Sequence, residues 1–385
     1  MVEGFKNTEV GVIPNDWDSV PLSSVLKIRH GRSQKEVIEE NGNYPILASG
    51  GQIGKANKYL YDKPSVLIGR KGTIDKPQFM DVPFWTVDTL FYSEIVDNCL
   101  PKFIYYQFLL IDWYAYNEAS GVPSLNAKTI EKIQIPLPPT KAEQTAIATA
   151  LSDADALISS LEKLIAKKKA IKQGAMQELL KPKESWIENT LGEVATLKAR
   201  IGWQGLTTAE YRKTGNFYLI TGTEFKNGFI DWDRCNYVDE NRYIQDRNIQ
   251  VKTHDILVTK DGTIGKVALI KLVPKPATLN SGVFVIRPIK DSFDPEFFYY
   301  LLLSNGFQIF LSQLSAGSTI IHLYQKDFVT FKFYTPKSLD EQKKIAKVLS
   351  DMDIEILRLE DKLEKQKQFK QGMMQSLLTG KIRLV

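Results

Sequence analysis

The chain has little of the residue types from which catalytic and metal-binding sites are usually built. Its 385 residues include two cysteines, Cys99 and Cys235, which cannot form a disulfide framework or a Cys-x-x-Cys metal site. Three histidines lie far apart, and none has a second histidine or a cysteine at metal-ligand spacing. No glycine-rich cofactor loop, Walker motif or adenine-methylating Asn-Pro-Pro-aromatic motif is present. We therefore expect no catalysis, no bound metal and no cofactor in this chain.

Long apolar runs are also missing. No window approaches the ~18 consecutive apolar residues of a membrane-spanning helix, and residues 1–17 lack the apolar run of a signal peptide. A reduced, cytoplasmic setting without a membrane partner is the expectation. The net charge of +5 permits a polyanionic partner without demanding one.

An internal repeat is the strongest feature that the sequence does contain. Residues 143–180 align with residues 341–378 without a gap, and about half of the positions are identical. A looser match continues upstream, where Arg70-Lys-Gly-Thr-Ile corresponds to Lys260-Asp-Gly-Thr-Ile. The sequence thus predicts a pseudo-twofold repeat with four segments: a globular domain (1–139), a long helix (140–182), a second domain (183–337) and a second long helix (338–385).

Both long segments carry the apolar seam of a coiled coil, with alternating steps of four and three residues. We therefore predict an antiparallel pair of helices whose interface contains Ile147, Leu151, Ile158, Leu161, Ile165, Ile345, Leu349, Met352, Ile356, Leu359 and Leu363. Farther along, the seam positions become Lys168 and Lys172, and Gln366 and Lys370. There we expect Ile171 and Phe369 to carry the packing and the supercoil to loosen.

Both helix starts have the pattern of a capping box, Thr140 with Glu143 and Ser338 with Glu341. Pro182 ends the first helix, and Gly380 can terminate the second.

In the globular segments the sequence predicts strands and turns followed by helices. Short apolar or alternating runs predict strands at 44–48, 65–69, 88–95, 217–221, 255–259, 266–270 and 282–287. Residues 101–117 and 295–314 are apolar and aromatic at helical spacing, and we expect their aromatic side chains to be core residues rather than a platform for stacked bases. The fold class is α/β (α+β).

Two polar loops in each half are candidates for contacts with nucleic acid. Residues 69–73 and 259–265 follow a strand and combine glycine, hydroxyl and cationic side chains, a chemistry that suits phosphate oxygens. Arg70 and Lys71 could instead read guanine in a major groove, and an ordinary glycine turn remains the simpler alternative. Loops 120–126 and 317–322 lie in matching places before the last strand of each half. The candidate DNA-binding residues are Arg70, Lys71, Thr73, Lys76, Ser124, Asn126, Thr259, Lys260, Thr263, Lys266, Ser318 and Thr319.

Several motifs resemble the specificity subunits of type I restriction–modification systems. The opening Gly4-Phe-Lys-Asn-Thr-Glu-Val-Gly-Val-Ile-Pro14 is similar to the N-terminal segment of that family. Ile135-Pro-Leu-Pro-Pro139 before Glu143 resembles its entry into the central helix, and Leu377-Leu-Thr-Gly-Lys-Ile-Arg383 resembles its C-terminal end. The resemblance covers essentially the whole chain. One departure is Asp75, which stands where the second half has Gly265.

The resemblance implies that each globular half is a target-recognition domain that reads one half of a bipartite, asymmetric site in double-stranded DNA. The helix pair would act as a ruler for the unread gap and as a docking surface for two modification subunits. Those subunits would use S-adenosylmethionine to methylate adenine N6 after base flipping. Restriction subunits that use ATP and Mg can join them.

Two other hypotheses stay open at this point. A nuclease or methyltransferase with an unrecognised site would show activity as a purified chain. A coiled-coil scaffold or adaptor would bind DNA without sequence preference, or would not bind it.

Overall fold

The chain folds into two compact units that share the long helices. A computed structural model describes residues 4–315 and 322–384. Unit 1 consists of Met1–Leu164 and Leu359–Val385, and unit 2 of Ile165–Arg358. The units divide each long helix instead of separating it from its globular domain, because the two ends of each helix belong to different cores.

Unit 1 contains the first globular domain. Its strands are β1 (Phe5–Thr8), β2 (Gly11–Pro14), β3 (Asp18–Pro21), β4 (Leu26–His30), β5 (Tyr44–Ala48), β6 (Gly51–Ala56), β7 (Ser65–Gly69), β8 (Gln78–Met80), β9 (Trp85–Thr86), β10 (Leu90–Ile95) and β11 (Gln134–Leu137). Its helices are α1 (Pro101–Leu110), α2 (Ala127–Lys132) and the first part of α3 (Lys141–Leu179), with short 3-10 helices at Leu22–Ser24 and Trp113–Tyr116.

Unit 2 contains the second globular domain. Its strands are β12 (Ile187–Thr190), β13 (Ala195–Lys198), β14 (Phe217–Ile220), β15 (Phe225–Lys226), β16 (Phe229–Ile230), β17 (Asn236–Val238), β18 (Ile256–Thr259), β19 (Val267–Leu269), β20 (Ala277–Leu279), β21 (Val283–Pro288) and β22 (Lys332–Thr335). Its helices are α4 (Leu191–Val194), α5 (Glu240–Ile244), α6 (Pro295–Leu302), α7 (Asn305–Ser315), α8 (Gln325–Phe328) and the first part of α9 (Leu339–Leu377). Short 3-10 helices lie at Gly202–Gln204, Thr208–Glu210, Trp232–Arg234 and Arg247–Ile249.

The sheets repeat the same topology in both units. The strand order β4-β10-β7-β8 in unit 1 corresponds to β13-β21-β18-β19 in unit 2. Strand β5 pairs antiparallel with β6 and parallel with β9, just as β14 pairs antiparallel with β17 and parallel with β20. Finally, β11 pairs with β3 as β22 pairs with β12. The duplication read from the sequence is therefore also a duplication of fold, with mixed sheets and helices in both copies.

Local sequence patterns account for the long helices and for several of the strands. The strands predicted at 44–48 and 65–69 coincide with β5 and β7, whose apolar side chains point into the cores. The segment predicted as a helix at 101–117 begins as α1 and ends in a 3-10 helix, because Asp112 accepts a hydrogen bond from the Tyr114 backbone N–H and starts a new turn. Its aromatic residues Phe103, Tyr106 and Trp113 are buried, as expected of core residues.

Each unit has a core to which both long helices contribute. In unit 1, Ile147 and Leu151 from the start of α3 are buried with Leu377 and Leu378 from the end of α9. In unit 2 the corresponding residues, among them Leu349 from α9 and Leu180 after α3, are buried together. The start of one helix thus packs beside the end of the other, which is the arrangement of an antiparallel pair.

The apolar seam follows the predicted spacing. Seven of the eleven predicted interface residues are buried: Ile147, Leu151, Leu161, Ile165, Ile345, Leu349 and Ile356. The other four are half-buried: Ile158, Met352, Leu359 and Leu363.

The expectation that Ile171 and Phe369 carry the packing in the later part of the seam is wrong. Ile171 and Phe369 are 46% and 62% exposed, so they do not carry the packing. The seam continues instead through Lys172 and Lys370, whose side chains are each only 17% exposed. Apolar character alone pointed to the wrong residues, because the ammonium groups find acidic partners within the seam.

The start of α3 forms only half of the predicted capping box. The Glu143 backbone N–H donates to Thr140 Oγ1 over 3.2 Å. The Glu143 carboxylate does not cap the helix; it is buried and accepts hydrogen bonds from Arg383, whose Nη2 lies 2.9 Å from Glu143 Oε2. Arg383 also donates to Asp16 Oδ1, so the pair links the start of α3 to the segment after α9.

Substitutions in unit 1 should distinguish residues of the apolar seam from exposed residues by their effect on stability. Leu151→Ala should lower the free energy of unfolding by about 2–5 kcal/mol, because Leu151 is fully buried and its loss leaves a cavity. Phe369→Ala should change it by less than about 0.5 kcal/mol, because that ring is mostly exposed. Urea unfolding of the two variants measures both values. A larger loss for Phe369→Ala than for Leu151→Ala would contradict this assignment of the seam.

Candidate nucleic-acid interface

In unit 2, the turn between β18 and β19 is held by a threonine side chain. Thr259 Oγ1 donates to the Thr263 carbonyl over 2.6 Å and accepts the Lys266 N–H over 2.9 Å. The backbone closes the same turn, since Gly265 N–H donates to the Thr259 carbonyl. Thr259 is buried. It therefore shapes the turn, while the exposed Thr263 and Lys266 side chains face outward.

Glycine at position 265 is required by both backbone and packing. Its φ is +77°, and a Cβ there would lie 2.3 Å from Leu311 Cδ1. Asp75, the counterpart in unit 1, is absent from the residues with positive φ. The departure noted in the sequence therefore corresponds to a real difference between the two turns.

A second loop of unit 2 is organised by a buried carboxylate. Glu224 is 1% exposed and accepts hydrogen bonds from the N–H groups of Thr221 and Gly222 and from the hydroxyls of Thr221 and Thr223, over 2.8–3.0 Å. Four donors thus replace the water that this charge would have in solution. The Thr-x-x-Glu spacing is that of a capping box, a signal from which the loop could have been found in the sequence.

These two loops and residues 280–282 enclose a cleft of about 340 Å³. Its lining is rich in hydroxyl, amide and backbone groups: Thr221, Gly222, Thr223, Thr259, Asp261, Gly262, Thr263, Lys266, Asn280, Ser281 and Gly282. Asn280 Nδ2 donates to the Tyr211 hydroxyl over 2.7 Å. The buried Asn280 Oδ1 has no hydrogen-bond partner within the described part of the chain. Asn280 therefore lines the cleft beside several hydroxyl groups, while its Oδ1 atom is itself buried.

Charged groups border this cleft without making it strongly basic. Lys260 Nζ lies 5.4 Å from the centroid of the Phe284 ring, so its stem packs on the core. Asp261 Oδ1 lies 2.7 Å from His322 Nδ1. The lysines at 260 and 266 are therefore partly offset by Asp261, and neutral donors and acceptors supply much of the surface chemistry.

The corresponding turn of unit 1 is built differently. A Cβ at Gly69 would lie 2.0 Å from the Thr73 carbonyl, so no larger residue fits there. Arg70 Nη1 donates to the Asp88 carbonyl over 3.1 Å. Lys71 and Lys76 are exposed, and Thr73 is half-buried.

In both units this turn is bound to the loop that precedes the last strand. The Leu125 N–H donates to the Arg70 carbonyl over 2.9 Å, and the Leu323 N–H donates to the corresponding Lys260 carbonyl over 3.0 Å. In unit 1, Lys71 also forms a backbone bridge with Ser124. The two predicted loops of unit 1 therefore meet. In unit 2 only His322 of the predicted loop 317–322 lies within the described residues, and its Nδ1 is 2.7 Å from Asp261 Oδ1.

The structure brings together some of the sequence-predicted residues and not others. Thr259, Thr263 and Lys266 line one cleft, and Lys71 pairs with Ser124 while the Arg70 carbonyl accepts from the Leu125 N–H. Asn126 is the N-cap of α2, where its side chain accepts the Lys128 N–H, so its amide serves that helix. Ser318 and Thr319 lie outside the described residues. Sequence reasoning missed Glu224 and Asn280, which come to the site from separate segments, and it named the loop that ends at His322 without selecting that histidine.

Across residues 4–315 and 322–384, no group of three or more His, Cys, Asp or Glu side chains could hold a metal ion. No helix in that part of the chain is long and apolar enough to cross a membrane.

Comparison with known proteins agrees with this architecture. Residues 14–173 and 183–367 match the family described as type I restriction modification DNA specificity domain. The MjaVIII specificity subunit of a type I restriction enzyme from Methanocaldococcus jannaschii is 27% identical, over 99% of this chain and 96% of that protein. The putative MjaX specificity subunit from the same organism is also 27% identical, over 99% and 97%.

One solved structure has a closely similar fold. It is the S subunit of a type I restriction–modification system from M. genitalium, with a TM-score of 0.68 and 19% identity, covering 98% of this chain and 99% of that one.

The turn that Thr259 organises can be tested directly. Thr259→Val should lower the free energy of unfolding by about 1–3 kcal/mol, because the Lys266 N–H and the Thr263 carbonyl lose their partner. Thr259→Ser keeps the hydroxyl and should recover most of that loss. Urea unfolding gives the energies, and hydrogen exchange at the Lys266 amide reports on the turn itself. Equal stability of the valine and serine variants would show that the hydroxyl does not hold the turn.

Proposed function

Since the chain belongs to the type I restriction–modification DNA specificity family, we propose that it is the specificity subunit of such a system and that each unit reads one half of a bipartite target in double-stranded DNA. The observation that carries this proposal is the recurrence of one arrangement in both units. In each, a cation-bearing turn after a buried strand is bound by the same backbone hydrogen bond to the loop before the last strand. The backbone arrangement is the same in both units, but the side chains on it differ. This is what we expect of two domains that recognise different half-sites.

The chemistry of the two turns supports an asymmetric target. Unit 1 presents Arg70 and Lys71 on a turn in which the backbones of residues 69 and 73 approach so closely that only glycine fits at position 69. Unit 2 presents a cleft lined by threonine hydroxyls, Ser281 and Asn280. Cations and backbone N–H groups suit phosphate oxygens, while amide and hydroxyl groups suit base edges. Different sets of groups would select different bases.

The helix pair takes the role of a spacer in this proposal. Each core contains residues of both long helices, and in this proposal the helices set the spacing of the two half-sites. Their outer surfaces would dock two modification subunits that bind S-adenosylmethionine and methylate adenine N6 after flipping the base. Restriction subunits that use ATP and Mg would join this complex in the cytoplasm. The chain itself would hold no cofactor and catalyse no step.

A map of DNA methylation tests the proposed function. The chain is co-expressed with its modification subunit in a host that lacks DNA methylation, and N6-methyladenine is located by single-molecule sequencing. We expect one split motif with a fixed unread gap and two different half-sites. If the partner is folded and bound but no motif is methylated, the proposal fails, and DNA binding without sequence preference would favour a scaffold.

Charge-removing substitutions test the turns. Arg70→Met and Lys260→Met keep the apolar stem and remove the cation, and Lys337→Met, at an exposed position beside the start of α9, is the control. If the cation binds a phosphate, affinity should fall for all sequences and the salt dependence should lose about 0.9 from its slope. If it reads a base, discrimination at one position should fall by about 1–3 kcal/mol. Titration of labelled duplexes at several salt concentrations distinguishes the two, and unchanged affinity for both variants would refute the assignment of the turns.

A further inference from the structure

A cluster of tyrosine, aspartate and lysine occurs once in each unit, at corresponding positions of the repeat. In unit 1, the Tyr106 hydroxyl donates to Asp155 Oδ2 over 2.8 Å, and Lys370 Nζ lies 2.5 Å from Asp155 Oδ1. The ammonium group also lies 5.6 Å from the centroid of the Tyr106 ring. The three side chains thus form one closed set of contacts.

Unit 2 repeats this cluster with nearly the same geometry. The Tyr300 hydroxyl donates to Asp353 Oδ2 over 2.8 Å, and Lys172 Nζ lies 2.5 Å from Asp353 Oδ1. Lys172 Nζ lies 5.4 Å from the centroid of the Tyr300 ring. Neither cluster is part of the turns assigned to DNA.

Each cluster joins three elements that are far apart in sequence. The tyrosine comes from the first helix of the globular domain, α1 or α6. The aspartate comes from the long helix that follows that domain, and the lysine from the last part of the other long helix. One cluster therefore joins a helix of the globular domain to both long helices of that unit.

Burial makes this contact more demanding than a surface ion pair. The tyrosines are 0% and 1% exposed, and both lysine side chains are 17% exposed. Burial raises the pKa of Tyr106 and of Tyr300, so both hydroxyls keep the proton that they donate. A partly buried charge that loses its partner has little water to replace it.

A surface pair on the same helices is not repeated. Lys168 lies 2.7 Å from Glu355, and these side chains are 33% and 50% exposed. Their counterparts in the repeat are Gln366 and Leu157, which cannot form an ion pair. The cluster is thus repeated where this surface pair is not, whereas the pair Glu162–Lys367 has counterparts of the same charges, Glu360 and Lys169.

The seam alone does not select one register. Its apolar residues recur every seven positions, so sliding one helix by a heptad would again place apolar residues against each other. The same slide would place Asp155 opposite Leu363 or Leu377 instead of Lys370. A parallel pairing would place Asp155 beside Asp353 and Lys172 beside Lys370. Both alternatives leave charges without opposite partners.

We infer that Tyr106–Asp155–Lys370 and Tyr300–Asp353–Lys172 are positioning clusters that set the register of α3 against α9 and thereby the length of the unread gap. The second part of this inference rests on the proposed function, and the first part does not. A single polar contact within an apolar seam is a known means of fixing register.

The register can be measured without DNA. The four charged residues of the two positioning clusters are called the lock positions. In the lock-free variant these residues, Asp155, Asp353, Lys172 and Lys370, are all replaced by leucine. The control variant replaces Lys168, Glu355, Lys347 and Asp351 by leucine, which removes the same number of charges of each sign from two more exposed pairs and leaves positions 162, 360 and 367 free for cysteines. Urea unfolding shows whether each variant is folded.

Disulfide formation then reports which residues face each other. Glu162→Cys with Lys367→Cys marks the observed register, since these residues form an ion pair at 2.7 Å. Glu162→Cys with Glu360→Cys marks a slide of one heptad. Both native cysteines are buried. We expect the preference for the first pair to fall about tenfold when the four lock positions carry leucine. An unchanged preference in a folded protein would overturn the inference, whatever the chain does with DNA.

The gap is measured on targets whose half-sites are moved apart or together by single base pairs. In the lock-free variant, the ratio of affinity for the native gap to affinity for altered gaps should fall about tenfold, while the control variant should keep the ratio of the unsubstituted chain. If the lock-free variant loses its preference for the observed disulfide but keeps its preference for the native gap length, the register does not determine the gap. If the unsubstituted chain directs no methylation to a split motif, the proposed function fails, and the disulfide result still decides the register.

A milder variant covers the case in which four leucines prevent folding. Tyr106→Phe with Tyr300→Phe removes only the two hydroxyls and keeps the rings in the cores. The preference for the observed disulfide should fall about threefold, because Asp155 and Asp353 lose one of their two partners. Full preference in this variant would likewise contradict the positioning role.

Discussion

Everything else in this fold depends on the burial of the first turns of one long helix beside the last turns of the other. In unit 1, Ile147 and Leu151 share a core with Leu377 and Leu378, and unit 2 repeats the arrangement. Neither globular half closes its core without residues from both helices. The sheets, the polar turns and the Tyr–Asp–Lys clusters are all placed by this packing, so a recognition surface and a spacer are parts of one folded unit.

The sequence predicted the fold in detail because its signals were local or repeated. Apolar spacing located the seam at residues such as Leu151 and Leu349, and short apolar runs located strands such as β5 and β7. Repetition then added information that one copy could not supply, since a pattern found twice is hard to attribute to chance. Where the local signal was ambiguous, it misled: Phe369 is apolar and exposed, while Lys370 is charged and lies in the seam.

The candidate site was only partly predictable, because its groups meet through tertiary contacts. Thr259, Thr263 and Lys266 belong to one turn and could be found together. Glu224 and Asn280 reach the same cleft from other segments, and no spacing in the sequence joins them to that turn. Glu143 shows the opposite failure: a correct capping pattern was present, but its carboxylate is used by Arg383, which is distant in sequence.

The hydrogen bonds around Glu224 also bear on the entropy of binding. This loop is tied down by a carboxylate of the protein, so its backbone and hydroxyl groups are already ordered before any ligand arrives. A loop that must be ordered on binding loses part of the interaction energy to that ordering. A preorganised loop keeps that energy for discrimination between ligands. It does so without a lysine or arginine, which leaves the nearby cations available to the solvent and to whatever anion approaches.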